Sequence, residues 1–173
     1  PRLYHHADTE DLASVIEHVK HSYQTIMLVG FSMGGSVSLK YLGEARTRPE
    51  NLCSCAVFSV PCDLGSSARE LDKPHLAFYR KRFLRKLSKK MLLKSQQFPE
   101  KVSFEGFEHI RYFEEFDDRY TAPLHGFAGA SDFYEKGSAN NYLAGIEIPT
   151  LLVNAANDPM LPEACYPKEL VQE

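Results

Sequence analysis

The chain is 173 residues long, 43% hydrophobic, and carries a formal net charge of −3. That length supports one sizeable core and not obviously two, and the near-even charge balance gives no nucleic-acid signal. Cys53, Cys55, Cys62 and Cys165 form no C-x-x-C pair, which argues against a zinc site or a small disulfide framework and fits reduced thiols. No apolar run is long enough to cross a bilayer, and no leader peptide is visible. A cytoplasmic setting is therefore expected, although the chain opens on Pro1 rather than methionine and its native N-terminus is expected to lie elsewhere.

Pro1 to His6 reads as a polar entry loop; the adjacent His5 and His6 diverge on any regular element, so no metal site is expected there. Asp8 or Thr9 should cap a helix whose apolar positions Leu12, Val15, Ile16 and Val19 recur at helical spacing. His18 and His21 close it, where positive charge suits the helix dipole. Ile26-Met27-Leu28-Val29 then runs straight into Gly30-Phe31-Ser32-Met33-Gly34-Gly35 and a new amphipathic pattern. That is a strand, a sharp turn and a helix. The spacing G-x-S-x-G suits a nucleophile on a tight bend, because side chains two before and two after it would collide. Ser32 would stand exposed at the strand's C-terminal end, with the helix N-terminus aimed at charge developing on a substrate oxygen. The bland reading is a glycine-rich turn with an incidental serine.

The helix through Val37, Leu39, Tyr41 and Leu42 should stop around Gly43 to Pro49, and Cys55 to Val60 reads as a second apolar strand. Two such strands joined by a helix make a right-handed βαβ unit in a parallel sheet buried on both faces. The fold class is α/β. A third run, Thr150 to Asn154, ends in Ala155-Ala156-Asn157-Asp158, which brings Asp158 to the same sheet edge as Ser32 if all strands are parallel. Residues 1–63 and 148–173 are thus expected to form the core, and 64–147 a mainly helical insertion, capping the turn.

Within that insertion, Leu76, Tyr79, Phe83, Leu87 and Met91 mark a helical stripe. Arg80, Lys81, Arg82, Arg85, Lys86, Lys89, Lys90 and Lys94 cover the rest with no acid among them. Glu105, Glu108, Glu114, Glu115, Asp117 and Asp118 follow as an acidic block. The two blocks either face each other or solvent, or the basic helix makes a weak contact with an anionic membrane surface. Most aromatics between Tyr112 and Tyr134 are expected in the core, a few lining an apolar pocket.

GFSMGGSVSLKYLGE, SVPCDL, EEFDDRYTAPLHGF and IPTLLVNAANDPMLP together resemble the AB-hydrolase-4 branch of the α/β-hydrolases. The resemblance runs through nearly the whole chain, and the EFDDxYTAPLHGF block is its most distinctive part. It implies an α/β-hydrolase sheet with a Ser-Asp-His triad, a carboxylic-ester hydrolase activity, small acyl-ester or lipid substrates, and neither cofactor nor metal. Carried onto this chain, Ser32 is the nucleophile, Asp158 the acid and Met33 N–H one oxyanion donor, with Phe31 and His125 as candidates to bound a substrate pocket. His75 and His109 carry no motif. The triad histidine should follow Asp158, yet the last histidine is His125. Loss of that base costs on the order of a millionfold in kcat, about 8 kcal/mol of barrier. The chain therefore reads as the middle of a longer polypeptide, or as a noncatalytic binding module on a hydrolase fold. Acyl transfer and thioester hydrolysis use the same constellation and stay open, as does the oligomeric state.

Overall fold

A computed structural model describes residues 2–168 and divides into two compact units, one built on a sheet and one helical. The sheet unit takes in Tyr4–Ser67 and residues 135–168. Helix α1 (Glu10–Val19) leads to β1 (Ile26–Phe31), α2 (Met33–Gly43) and β2 (Leu52–Phe58); much later comes β3 (Thr150–Val153). The strands lie in the order β1-β2-β3, and both pairings are parallel. The register aligns Phe31 with Phe58 and Phe58 with Val153, so all three strands end on one row.

Burial alternates along β1. Ile26 and Leu28 point into a core formed with Ile16 of α1, Leu39, Tyr41 and Leu42 of α2, and Cys55 and Val57 of β2. Such alternation is the period-two signature of a strand with one covered face. The opposite face is the departure from expectation: Met27, Val29, Phe31, Leu151 and Val153 remain 42% to 65% exposed. Parallel sheets ordinarily bury both faces, and here only one is covered by the described residues.

Two further expectations shift for local reasons. Thr9 is the N-cap of α1 but makes no side-chain cap bond. Its hydroxyl donates instead to Glu44 Oε2 at 2.9 Å, inside a cluster where Glu44 also meets Lys40 at 2.7 Å and Arg46 at 2.6 Å. Burial alone would raise the Glu44 pKa, but these partners outweigh it and hold the carboxylate below its usual range. Val15, expected in the core, is 58% exposed; Ile16 carries the burial of α1.

The helical unit covers Ala68–Tyr134 together with Leu3. Its long helix α4 (Ala77–Gln97) follows α3 (Leu64–Leu71), and after it come α5 (Phe113–Phe116), α6 (Ala122–His125) and α7 (Ala130–Gly137). The buried residues of α4 are Leu84 and Met91, whereas Tyr79 and Phe83 sit at the exposed flank of the expected stripe. Phe107, Phe116 and Tyr120 pack with them, ring centroids 5.3 to 6.2 Å apart; of the aromatics between Tyr112 and Tyr134, Phe116, Tyr120 and Phe133 are buried, whereas Tyr112 is exposed.

Between α5 and α6, residues Asp117–Thr121 form a π-helical turn. Its first residue is a half-buried carboxylate: Asp117 accepts hydrogen bonds from Thr121 Oγ1 at 2.6 Å and Tyr134 OH at 2.8 Å. Burial nevertheless pushes its pKa up to about 6, with the neighbouring Asp118 adding and the two hydroxyls opposing. The sheet unit holds the converse case, since burial and then His5 lower His6 to about 4. The signs are opposite. Folded Asp117 binds its proton more tightly than the unfolded chain does, so the helical unit gains stability as pH falls from about 6 towards the unfolded carboxylate value, by roughly 3 kcal/mol. His6 takes its proton more readily when unfolded, so the sheet unit loses stability between its unfolded value of 6.5 and about 4. Hydrogen exchange corrected for intrinsic rates should show protection of α5 and α6 rising on acidification while that of α1 falls. Asp117→Asn should flatten the first trend; an unchanged slope would refute this reading of the turn.

Candidate functional site

The C-terminal end of β1 is where chain geometry is least ordinary. Ser32 follows Phe31 at φ 50°, ψ −119°, a region costly for any residue with a Cβ, on the order of 1–3 kcal/mol. Its backbone is held from both sides: the Ser32 N–H donates to Phe58 O at 2.9 Å, and its carbonyl accepts from Ser36 N–H at 3.1 Å. Close approach of strand and helix does the rest. A Cβ on Gly30 would stand 2.7 Å from the Gly34 carbonyl oxygen, and one on Gly35 would stand 2.5 Å from Val60 Cγ2. Gly34 is different, with nothing within 4 Å of where its Cβ would lie. The residues whose smallness the fold itself requires are Gly30 and Gly35, not the pair flanking Ser32 symmetrically.

Ser32 is exposed, and Met33, next in the chain, is the first residue of α2. The first N–H groups of a helix have no acceptor within it and carry the positive end of the helix dipole. Phe31 is 65% exposed and stacks on Phe58 with centroids 5.2 Å apart and planes 19° apart, giving the strand ends an apolar surface.

Asp158 lies five residues past the end of β3, on the same edge as Ser32 and two strands away. Two strand spacings are about 10 Å. Its N–H donates to Ala155 O at 3.0 Å and its Oδ1 accepts from Met160 N–H at 2.9 Å, so the carboxylate is oriented by its own turn. Oδ2 has no partner among the described residues.

Sequence reasoning missed Asn154. Its Oδ1 accepts from Val60 N–H at 2.7 Å, and its Nδ2 donates to the carbonyls of Val60 and Cys165, each at 3.0 Å. One amide thus ties the ends of β2 and β3 to the segment after Asp158. Ser59, the residue after β2, has φ 52° and donates its N–H to Val153 O at 3.0 Å. A polar amide at the end of an apolar run was the available signal.

The histidines separate. His125 belongs to the helical unit, where its Nε2 accepts the Leu3 N–H at 3.0 Å. His5 Nδ1 accepts from Ala7 N–H at 3.2 Å in the sheet unit. Among the described residues, no group of three or more His, Cys, Asp or Glu is arranged to hold a metal ion, and no helix is long and apolar enough to cross a membrane.

Comparison with known proteins agrees with this geometry. Residues 3–171 match the model of the alpha/beta hydrolase fold family. Among curated relatives, mouse Phospholipase ABHD3 is 30% identical over 176 residues, covering all of this chain and 43% of that protein. Mouse Monoacylglycerol lipase ABHD2 is 30% identical over 193 residues, covering all of this chain and 44% of that protein. The chain thus spans less than half the length of these relatives. No solved structure matches. A parallel three-stranded sheet, a serine held at positive φ between strand and helix, and a family match along nearly the whole chain agree, and the chain belongs to the α/β-hydrolase fold family.

Proposed function

We propose that the native-length protein is a carboxylic-ester hydrolase that works through an acyl-enzyme on Ser32. The observation that carries this reading is the backbone at Ser32, strained at φ 50° yet pinned by two hydrogen bonds and the glycine contacts around it. Strain of this kind persists where surrounding structure enforces it, and it clusters at functional sites. The relatives' names, a phospholipase and a monoacylglycerol lipase, support ester bonds of lipids as the substrate class.

In this mechanism the Ser32 Oγ attacks the acyl carbonyl while its proton passes to a histidine outside these 173 residues. The carbonyl oxygen becomes an oxyanion against the N–H of Met33 at the start of α2. Asp158, whose Oδ2 has no partner among the described residues, orients the imidazole and stabilises its cation. The imidazolium returns the proton to the leaving alcohol as the C–O bond breaks. Water then attacks the acyl-enzyme with the same base, releasing a carboxylic acid and restoring Ser32. Phe31 supplies apolar surface beside the reacting carbonyl. His125 is assigned an anchoring role through Leu3 rather than a proton-moving one.

A second reading, acyl transfer or thioester hydrolysis, uses the same residues and differs in what accepts or leaves the acyl group. The fate of the acyl group therefore tests the proposal. The native-length protein given a monoacylglycerol or a p-nitrophenyl ester should yield free carboxylic acid as the main product, even with an alcohol present. An alcohol ester as the main product would establish a transferase. Absence of turnover by folded protein would favour the noncatalytic module, which the missing downstream histidine alone supports.

A further inference from the structure

Helix α4 carries a surface that neither the sheet nor Ser32 explains. At 100° per residue, Leu92, Arg85, Phe78, Lys89, Arg82, Leu93 and Lys86 fall, in that order, within a sector of about 120°, shared with Gln96, whose centre lies about 150° round the helix from the buried Leu84 and Met91. Every one of them is exposed, including Phe78 at 70%, Leu93 at 59% and Leu92 at 43%. Large apolar side chains and cations thus alternate around one solvent face that carries no acid.

Intramolecular pairing does not account for the charge. Among the described residues, Arg80 is the one α4 cation with an ion pair, to Asp72 at 4.0 Å, and its guanidinium lies 5.0 Å from the Tyr112 ring centroid. Four of the six acids in the acidic block are engaged elsewhere, and among the described residues no α4 cation pairs with Glu105 or Glu114. Glu115 accepts the N–H groups of Arg111 and Tyr112, Glu108 meets His109, Asp117 meets Thr121 and Tyr134, and Asp118 accepts from Ala130 N–H.

We infer that this face of α4 docks on an anionic lipid surface, Arg82, Arg85, Lys86 and Lys89 meeting the headgroup phosphates while Phe78, Leu92 and Leu93 enter the acyl boundary. The interleaving decides between partners. A nucleic acid or acidic protein would satisfy the cations and leave three large apolar side chains in contact with water or phosphate. A bilayer interface offers negative charge and hydrocarbon within one helix radius. The consequence is a raised local concentration of lipid, and the inference holds whether or not Ser32 is catalytic, because binding is read without turnover.

The test is flotation of the native-length protein with vesicles of phosphatidylcholine alone and of phosphatidylcholine mixed with phosphatidylserine. Partitioning should favour the mixed vesicles and fall with added salt. Reversing Arg82, Arg85, Lys86 and Lys89 to Glu should weaken it by at least ~100-fold, at roughly fivefold or more per charge near the surface. Phe78→Ser, Leu92→Ser and Leu93→Ser together should weaken it by at least ~tenfold with the charges intact. Exchanging Arg and Lys at the four positions should preserve binding and serves as the folding-neutral control. Equal binding to both vesicle types, unaffected by either set, would overturn the inference. So would a charge-only dependence accompanied by equally tight binding to an RNA homopolymer, which would assign the face to an acidic polymer.

Discussion

Replacing Ser32 by alanine in the native-length protein is expected to lower kcat on carboxylic esters by about a millionfold, the scale seen when a triad nucleophile is removed. That corresponds to about 8 kcal/mol of barrier. The loss should fall on kcat with little change in the melting temperature. Ser32 is exposed, its side chain has no hydrogen-bond partner among the described residues, and alanine keeps the Cβ that the positive φ already accommodates. Steady-state rates with one ester, read beside thermal melts of both proteins, check this. A variant that folds and retains more than a tenth of the activity would place the nucleophile elsewhere.

Gly43→Ala should produce the largest loss of stability of any single methyl added to the sheet unit. A Cβ there would collide with the backbone carbonyl of Tyr142, its carbon 2.6 Å away, and one on Gly145 would strike the Gly43 carbonyl in return. Backbone meets backbone at this crossing, so no rotamer change relieves the clash, and the end of α2 must move from the segment Ala139–Gly145. Lys40, lying 3.8 Å from the Tyr142 ring centroid, would move with it. The expected cost is about 3 kcal/mol or more, read as a lower urea midpoint at unchanged slope. Gly34→Ala is the matched control. With open space around its Cβ and no positive φ, it should be neutral or gain up to about 1 kcal/mol from helix propensity. Equal stability of the two variants would refute the packing argument.

These contrasts also mark what the sequence could carry. The path from Ile26 to Tyr41 was readable because an apolar run, a glycine cluster and a helical period follow one another without interruption, each reporting local conformation. The parallel pairing of the first two strands followed from the same logic. What local pattern could not report was which contacts compete. Thr9 looked like a cap, but Glu44, brought in from the end of α2, took its hydroxyl. Val60 reads as strand by composition, yet Ser59 turns the chain at φ 52° and the Asn154 amide captures the Val60 N–H. In α4, apolar and basic residues occur all round the helix, so periodicity found the buried Met91 but passed over the buried Leu84 and placed the exposed Tyr79 and Phe83 in the stripe. Asp117 was visible only as part of an acidic block; its burial between Thr121 and Tyr134 depends on a residue 17 positions away.

Ser32, Met33 and Asp158 share one sheet edge, which is the part of the candidate site that strand order dictates. The proton carrier proposed between Ser32 and Asp158 has no candidate after Asp158 in these 173 residues, since no histidine follows His125. The most direct measurement is covalent. The native-length protein and its Ser32→Ala variant are treated with a fluorophosphonate, and any adduct is mapped by peptide mass spectrometry. The account predicts one adduct on Ser32, absent from the alanine variant. A folded protein that stays unlabelled, or an adduct on another residue that survives Ser32→Ala, would contradict it.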